Sequence, residues 1–215
     1  MDGARHYGFV DRLLIQADHA LRTVFGRPQV SGRPNPASGL PLPSLDADEA
    51  RESARLMRIN HAGEVSAQAL YQGQALTARL PEVRDQMEQA AIEENDHLLW
   101  CAERIEELGG RTSVLNPLWY AGSFTIGAVA GLVGDRWSLG FIVETERQVI
   151  DHLEAHLTRL PAADHRSRAI LEQMKDDEHH HGTTALQAGA AELPAPIKLV
   201  MRCTSRVMTG TAYYV

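Results

Sequence analysis

A repeated spacing constrains this chain more than any other feature. Glu64 and Glu146 each precede, by about thirty residues, a Glu-x-x-His pair: Glu94-x-x-His97 after the first and Glu178-x-x-His181 after the second. Thirty helical residues folded back once return the chain to its starting height. Each half therefore reads as a helical hairpin with a glutamate on one arm and Glu-x-x-His on the other. Two such hairpins face to face gather four carboxylates and two imidazoles around one point. That is the donor set of a carboxylate-bridged di-iron site in a four-helix bundle.

Glu-x-x-His can arise by chance in a chain with ten histidines; its location is harder to explain that way. Met87, Ala90, Ala91, Glu94, His97, Leu98, Cys101 and Ile105 share one stripe at helical spacing, and Ile170, Leu171, Met174, Glu178, His181 and Ala185 form its equivalent. Glu146 sits among Ile142, Val143, Val149, Ile150 and Leu153, whereas its rival Glu144 falls on the far face. Glu64 lines up with Met57, Ala67, Tyr71 and Ala75. Four glutamates on apolar faces repel one another unless cations neutralise them. Carboxylate oxygens with one imidazole per metal suit iron or manganese better than zinc. Glu93 and Asp177, each just ahead of a ligand pair, either orient the opposite imidazole or stand as ordinary surface acids. His61 and His152 read first as structural histidines, and His179 and His180 point away from the ligand stripe.

The intervening pattern gives an all-α chain. Residues 8–25 place Phe9, Leu13, Ala17, Leu21 and Val24 on one helical face, and residues 26–45, with five prolines and three glycines, read as a linker. Helices are expected over 48–79, from Pro81 to Gly109-Gly110, over 136–160 and 164–189, and after Pro196. Between the hairpins, residues 117–134 carry no charge and four glycines. This long apolar crossover gives the one-crossover topology of ferritin-like bundles. It reads either as a buried core helix or as a surface that dips into a membrane, with Gly127-x-x-x-Gly131 a weak mark of close helix packing. Two units result: residues 1–45 as an amphipathic helix and linker, and 46–215 as the bundle.

Composition narrows the partners. A net charge of −7 without a basic block argues against nucleic acid. Cys101 and Cys203 lack metal-ligand spacing and read as core residues of a reducing compartment. The first thirty residues show no secretory signal pattern.

Arg58-Ile-Asn-His-Ala-Gly-Glu64, Glu94-Asn-Asp-His97, Asn116-Pro-Leu-Trp119, Glu146 with His152, Asp177-Glu178-His-His-His181 and Ala191-Glu-Leu-Pro194 together resemble the demethoxyubiquinone hydroxylases of ubiquinone biosynthesis. The resemblance runs in order over about residues 57–210. It implies that Glu64, Glu94, His97, Glu146, Glu178 and His181 hold two iron ions and that His152 lies near the site with a catalytic role. It further implies an O2-dependent monooxygenase that hydroxylates the ring of a polyprenylated demethoxybenzoquinol, with NADH as electron source. The implied setting is peripheral, on the cytoplasmic face of a membrane, among other quinone-pathway proteins. Lys198, Arg202 and Arg206, one stripe at i+4, could meet anionic head groups or form a solvated face. Two rivals stay open: a ferritin-type iron-oxidising or storage bundle, and a non-catalytic quinone-binding scaffold.

Overall fold

Asp46 opens the first long helix by accepting hydrogen bonds from the N–H groups of Asp48 (2.8 Å) and Glu49 (2.9 Å), while Glu49 accepts in return from the Asp46 N–H (3.0 Å). In the computed structural model, which describes residues 8–215, this helix is the second of seven. They are α1 (Phe9–Phe25), α2 (Ala47–Thr77), α3 (Pro81–Glu107), α4 (Asn116–Val133), α5 (Asp135–Arg159), α6 (His165–Gln187) and α7 (Ala195–Ala212). No strand occurs among the described residues. The helix over 8–25 is present as α1, although the Phe9 and Leu13 side chains of its expected apolar stripe lie outside the described residues.

The hairpin joints are explicit. Pro81 opens α3, where its missing N–H is no loss, and Gly109, at φ 69°, takes the left-handed turn just past the end of α3. Asp135, the first residue of α5, accepts from the N–H groups of Arg79 (3.0 Å) and Leu80 (2.9 Å), pinning the α2–α3 turn to the second hairpin. Asp164 caps α6 at the Ser167 N–H (3.0 Å) and also accepts from buried Arg104 (2.8 Å).

The crossover α4 lies along α2. A Cβ on Gly127 would sit 3.0 Å from the Leu70 Cα and carbonyl carbon, and closer still to the Leu70 oxygen, so the two backbones approach as only glycine allows. Tyr120 donates from the same face to Gln72 of α2. The opposite face of α4 exposes Leu118, Val129, Leu132 and Val133. The charge-free stretch is thus half packed and half exposed, not wholly buried. No helix among the described residues is long and apolar enough to cross a membrane.

Two apolar clusters flank the bundle centre. Leu56, Met57, Trp100, Ile105, Leu153, Ile170 and Met174 fill one end; Ala67, Tyr71, Met87, Leu139, Ile142 and Ala185 fill the other. Cys101 belongs to the first, as expected, but Cys203 is exposed, correcting the expectation of a core residue. Helix α7 turns Met201, Ser205 and Met208 inward, and Cys203 falls on its outer face.

Candidate metal centre

Between the two apolar clusters, the four helices of the hairpins converge on a buried acidic centre. Glu64 comes from α2, Glu94 and His97 from α3, Glu146 from α5, and Glu178 and His181 from α6. They form two overlapping sets, Glu64–Glu94–His97–Glu178 and Glu94–Glu146–Glu178–His181, in each of which the potential ligand atoms lie within 4.8 Å of one another. Glu94 and Glu178 belong to both. A first-row ion with bonds of about 2.1 Å separates its own donors by up to roughly 4.2 Å, so this envelope has the right scale. All six residues are buried.

Both imidazoles turn Nδ1 to the centre. His97 Nδ1 lies 3.2 Å from Glu94, 3.3 Å from Glu178 and 3.6 Å from Glu64; His181 Nδ1 lies 3.1 Å from Glu178 and 3.3 Å from Glu94. The outer nitrogens are held crosswise. His97 Nε2 donates to Asp177 on α6 (2.9 Å), and His181 Nε2 donates to Glu93 on α3 (2.8 Å). With the outer nitrogens so occupied, Nδ1 of each ring is the nitrogen that can turn a lone pair to a cation once its own proton is displaced. One oxygen on each of Glu94, Glu146 and Glu178 is buried without a hydrogen-bond partner. Orphaned carboxylate oxygens aimed at one point, with lone pairs from two imidazoles, fit a pair of cations.

The ionisation pattern agrees. Burial first, and then the neighbouring carboxylates, hold the Glu64 and Glu146 carboxyls well above their ordinary range. Burial would also raise Glu94, but hydrogen bonds with Glu64, His181 and His97 hold it well below. His97 and His181, which burial alone would keep neutral, are driven up by hydrogen bonds to the surrounding carboxylates. The cluster therefore retains protons at neutral pH, at the positions where cations compete.

The other candidates lie outside the centre. Glu144 is buried but bonds to Gln148 and Arg147 (both 2.7 Å), away from the ligand sets. His61 accepts from Asn116 Nδ2 (3.4 Å), and burial lowers it to about 4. His179 and His180 are exposed. His152 pairs with Ser205 (2.9 Å) and lines a cavity of about 290 Å³ between α2, α4, α5 and α7. That cavity is walled mainly by Ile59, Leu70, Trp119, Phe141, Val149 and Met208, and Glu64 reaches into it.

Sequence reasoning missed two features. Tyr71, placed on the apolar stripe only as a core residue, donates its hydroxyl to Glu146; a tyrosine two turns from a buried glutamate was the available signal. The residues 29–33 segment is stitched over α3 and α6 by single polar side chains, which no periodicity announces.

Fold and centre together define a class: a ferritin-like helical protein around a carboxylate–histidine cluster that could hold two metal ions. The chain belongs to the COQ7 family, residues 51–212 matching the family described as "Ubiquinone biosynthesis protein COQ7". Relatives named 3-demethoxyubiquinol 3-hydroxylase include those of Nitrosococcus oceani (59% identical over all of both chains), Azotobacter vinelandii (60%, 99% of each) and Acinetobacter baumannii (55%, over 98% of this chain and 99% of the other). The chain is a hydroxylase of ubiquinone biosynthesis.

Proposed function

We propose that this chain hydroxylates the ring of a polyprenylated demethoxybenzoquinol, using O2 and two iron ions held by Glu64, Glu94, His97, Glu146, Glu178 and His181. The observation that carries this reading is the pair of donor sets sharing Glu94 and Glu178, beside an apolar cavity into which Glu64 reaches. Bound there, ferrous iron would supply O2 activation and the electrons for its first reduction. One oxygen atom enters the ring and the other leaves as water, consuming two electrons and two protons; NADH is the proposed source of the electrons and one proton, and solvent supplies the other. Glu94 and Glu178, common to both donor sets, would serve both ions, Glu64 and Glu146 would each serve one, and Tyr71 steadies Glu146 through its hydroxyl. The apolar walls exclude water from the ring. His152, on the same cavity and kept toward the neutral form by burial, is the group assigned to exchange a substrate proton.

A polyprenyl tail partitions into lipid, so the cavity mouth must meet a membrane. Exposed Leu118, Val129 and Leu132 on α4 and Val200 and Val207 on α7 support a peripheral docking face, with Arg202 and Arg206 beside it for anionic head groups. The cytoplasmic leaflet and neighbouring quinone-pathway enzymes complete the proposed setting. The names of the relatives do not favour storage or scaffold readings. The test is iron content together with O2-dependent hydroxylation of a demethoxyquinol in vesicles. Two irons per chain and one hydroxylated product per O2 are expected; catalytic oxidation of ferrous iron with no quinol requirement would refute the assignment.

A further inference from the structure

The two histidines are held by nearly matching devices. On one side His181 Nε2 donates to Glu93 (2.8 Å), and Gln89, one turn earlier, donates to the other Glu93 oxygen (3.0 Å). On the other, His97 Nε2 donates to Asp177 (2.9 Å), and Gln173, one turn earlier, donates to the other Asp177 oxygen (3.0 Å). The match then breaks. Arg33 Nη2 donates to Asp177 Oδ2 at 2.6 Å, the same oxygen that takes His97, and no cation contacts Glu93 among the described residues.

Arg33 is not a casual surface contact. Its guanidinium lies over the Trp100 ring, 5.2 Å from the centroid, and Trp100 in turn sits 5.4 Å from the His97 ring. The backbone leading to it is fastened to α3. The Gln29 carbonyl accepts from Asn95 (2.9 Å), and the Ser31 N–H and hydroxyl donate to the two oxygens of fully buried Asp96 (2.9 and 2.5 Å). Four hydrogen bonds within five residues fix a segment that has no helix of its own.

We infer that Arg33 is a positioning residue that makes the two metal positions unequal, through the Arg33–Asp177–His97 contact. The inference rests on the proposed ligand set. A guanidinium on Asp177 draws its charge outward, so Asp177 polarises the His97 N–H less than Glu93 polarises that of His181. His97 is then the poorer donor, and its position the more Lewis-acidic and weaker-binding of the two. Glu93 shows that a glutamine and a histidine alone suffice to hold such a carboxylate. Losing Arg33 would therefore leave Asp177 in place and make the two sides alike.

The test uses the iron-57-loaded diferrous chain and Mössbauer spectroscopy, with no turnover involved. Wild type should give two resolved quadrupole doublets, and Arg33→Met should draw them together. Arg27→Met, which removes an exposed cation that meets no carboxylate among the described residues, should match wild type. Titration of the metal-free chain with Co2+ reads the same asymmetry as the ratio of two stepwise constants, expected to fall about tenfold in Arg33→Met. If Arg33→Met takes up fewer than two irons, Arg33→Lys decides, with a narrowed but surviving separation expected. Indistinguishable irons in wild type, or an unchanged separation in the Arg33 variants, would overturn the inference. Failure of wild type to bind an iron pair at all would instead overturn the ligand assignment.

Discussion

Glu146→Gln separates what the acidic centre costs the fold from what it gives to metal binding. Burial and the Glu178 and Glu94 carboxylates raise the Glu146 carboxyl well above its ordinary 4.5. An acid whose folded value is raised takes up a proton on folding at pH values between 4.5 and that raised value, so its contribution to stability falls as pH rises through that range. Each pH unit across which the folded carboxyl keeps that proton and the unfolded one has lost it costs about 1.4 kcal/mol. Glutamine carries no such cost. It still accepts from the Tyr71 hydroxyl, and it offers an amide N–H where Glu146 Oε2 has no partner. Relaxation and water entry reduce the gain, so about 2 kcal/mol is expected, or roughly 4–8 °C in Tm for a chain this size. The assay is thermal unfolding of chelator-treated wild type and variant from pH 5 to 8. The variant should be the more stable at pH 7.5, with a gap shrinking below about 1 kcal/mol at pH 5. Adding Fe2+ under anaerobic conditions should reverse the order, because wild type gains about 2.7 kcal/mol at a hundredfold excess over Kd. A metal-free variant less stable than wild type at pH 7.5, or a gap indifferent to pH, refutes the reasoning.

Other expectations follow from the same geometry. Burial holds His61 and His156 down to about 4, so their contribution is intact above 6.5 and lost as pH falls toward 4, about 3 kcal/mol each. His156→Gln, which can still donate to Asn60 Oδ1, should flatten the acid limb by about 2–3 kcal/mol between pH 7 and 4.5, measured by urea unfolding. Glu178→Ala removes a carboxylate common to both donor sets, and should abolish hydroxylation and lower iron content below one per chain by elemental analysis. Within α4, Gly122→Ala meets nothing within 4 Å and should stabilise by up to about 1 kcal/mol. Gly127→Ala, pressed on the Leu70 backbone, should instead lower Tm, since a clash costing about 1–3 kcal/mol offsets that gain.

Much of this was legible in sequence because the ligands interrupt amphipathic helices. Glu94 and His97 stand among Met87, Leu98 and Ile105, so the buried face named them before any coordinates did. Helix-end residues worked equally well, with Pro81 marking the start of α3 and Gly109 its end. Helix α4 resisted because both of its faces are apolar. What distinguishes the packed side is absent side chains at Gly127 and Gly131, and polarity patterns cannot register that. The 29–33 segment resisted for a different reason. Its ties reach 65 to 144 residues along the chain through one side chain at a time, and prolines specify what such a segment avoids without saying where it lies.

Helices α2 and α3 supply one glutamate, one Glu-x-x-His and one carboxylate for the opposite ring; α5 and α6 supply the same set again. Neither half could assemble the centre unaided, yet two copies of either would carry the complete inventory. The crossover is then a tether, converting what would be a bimolecular encounter into one governed by a millimolar effective concentration.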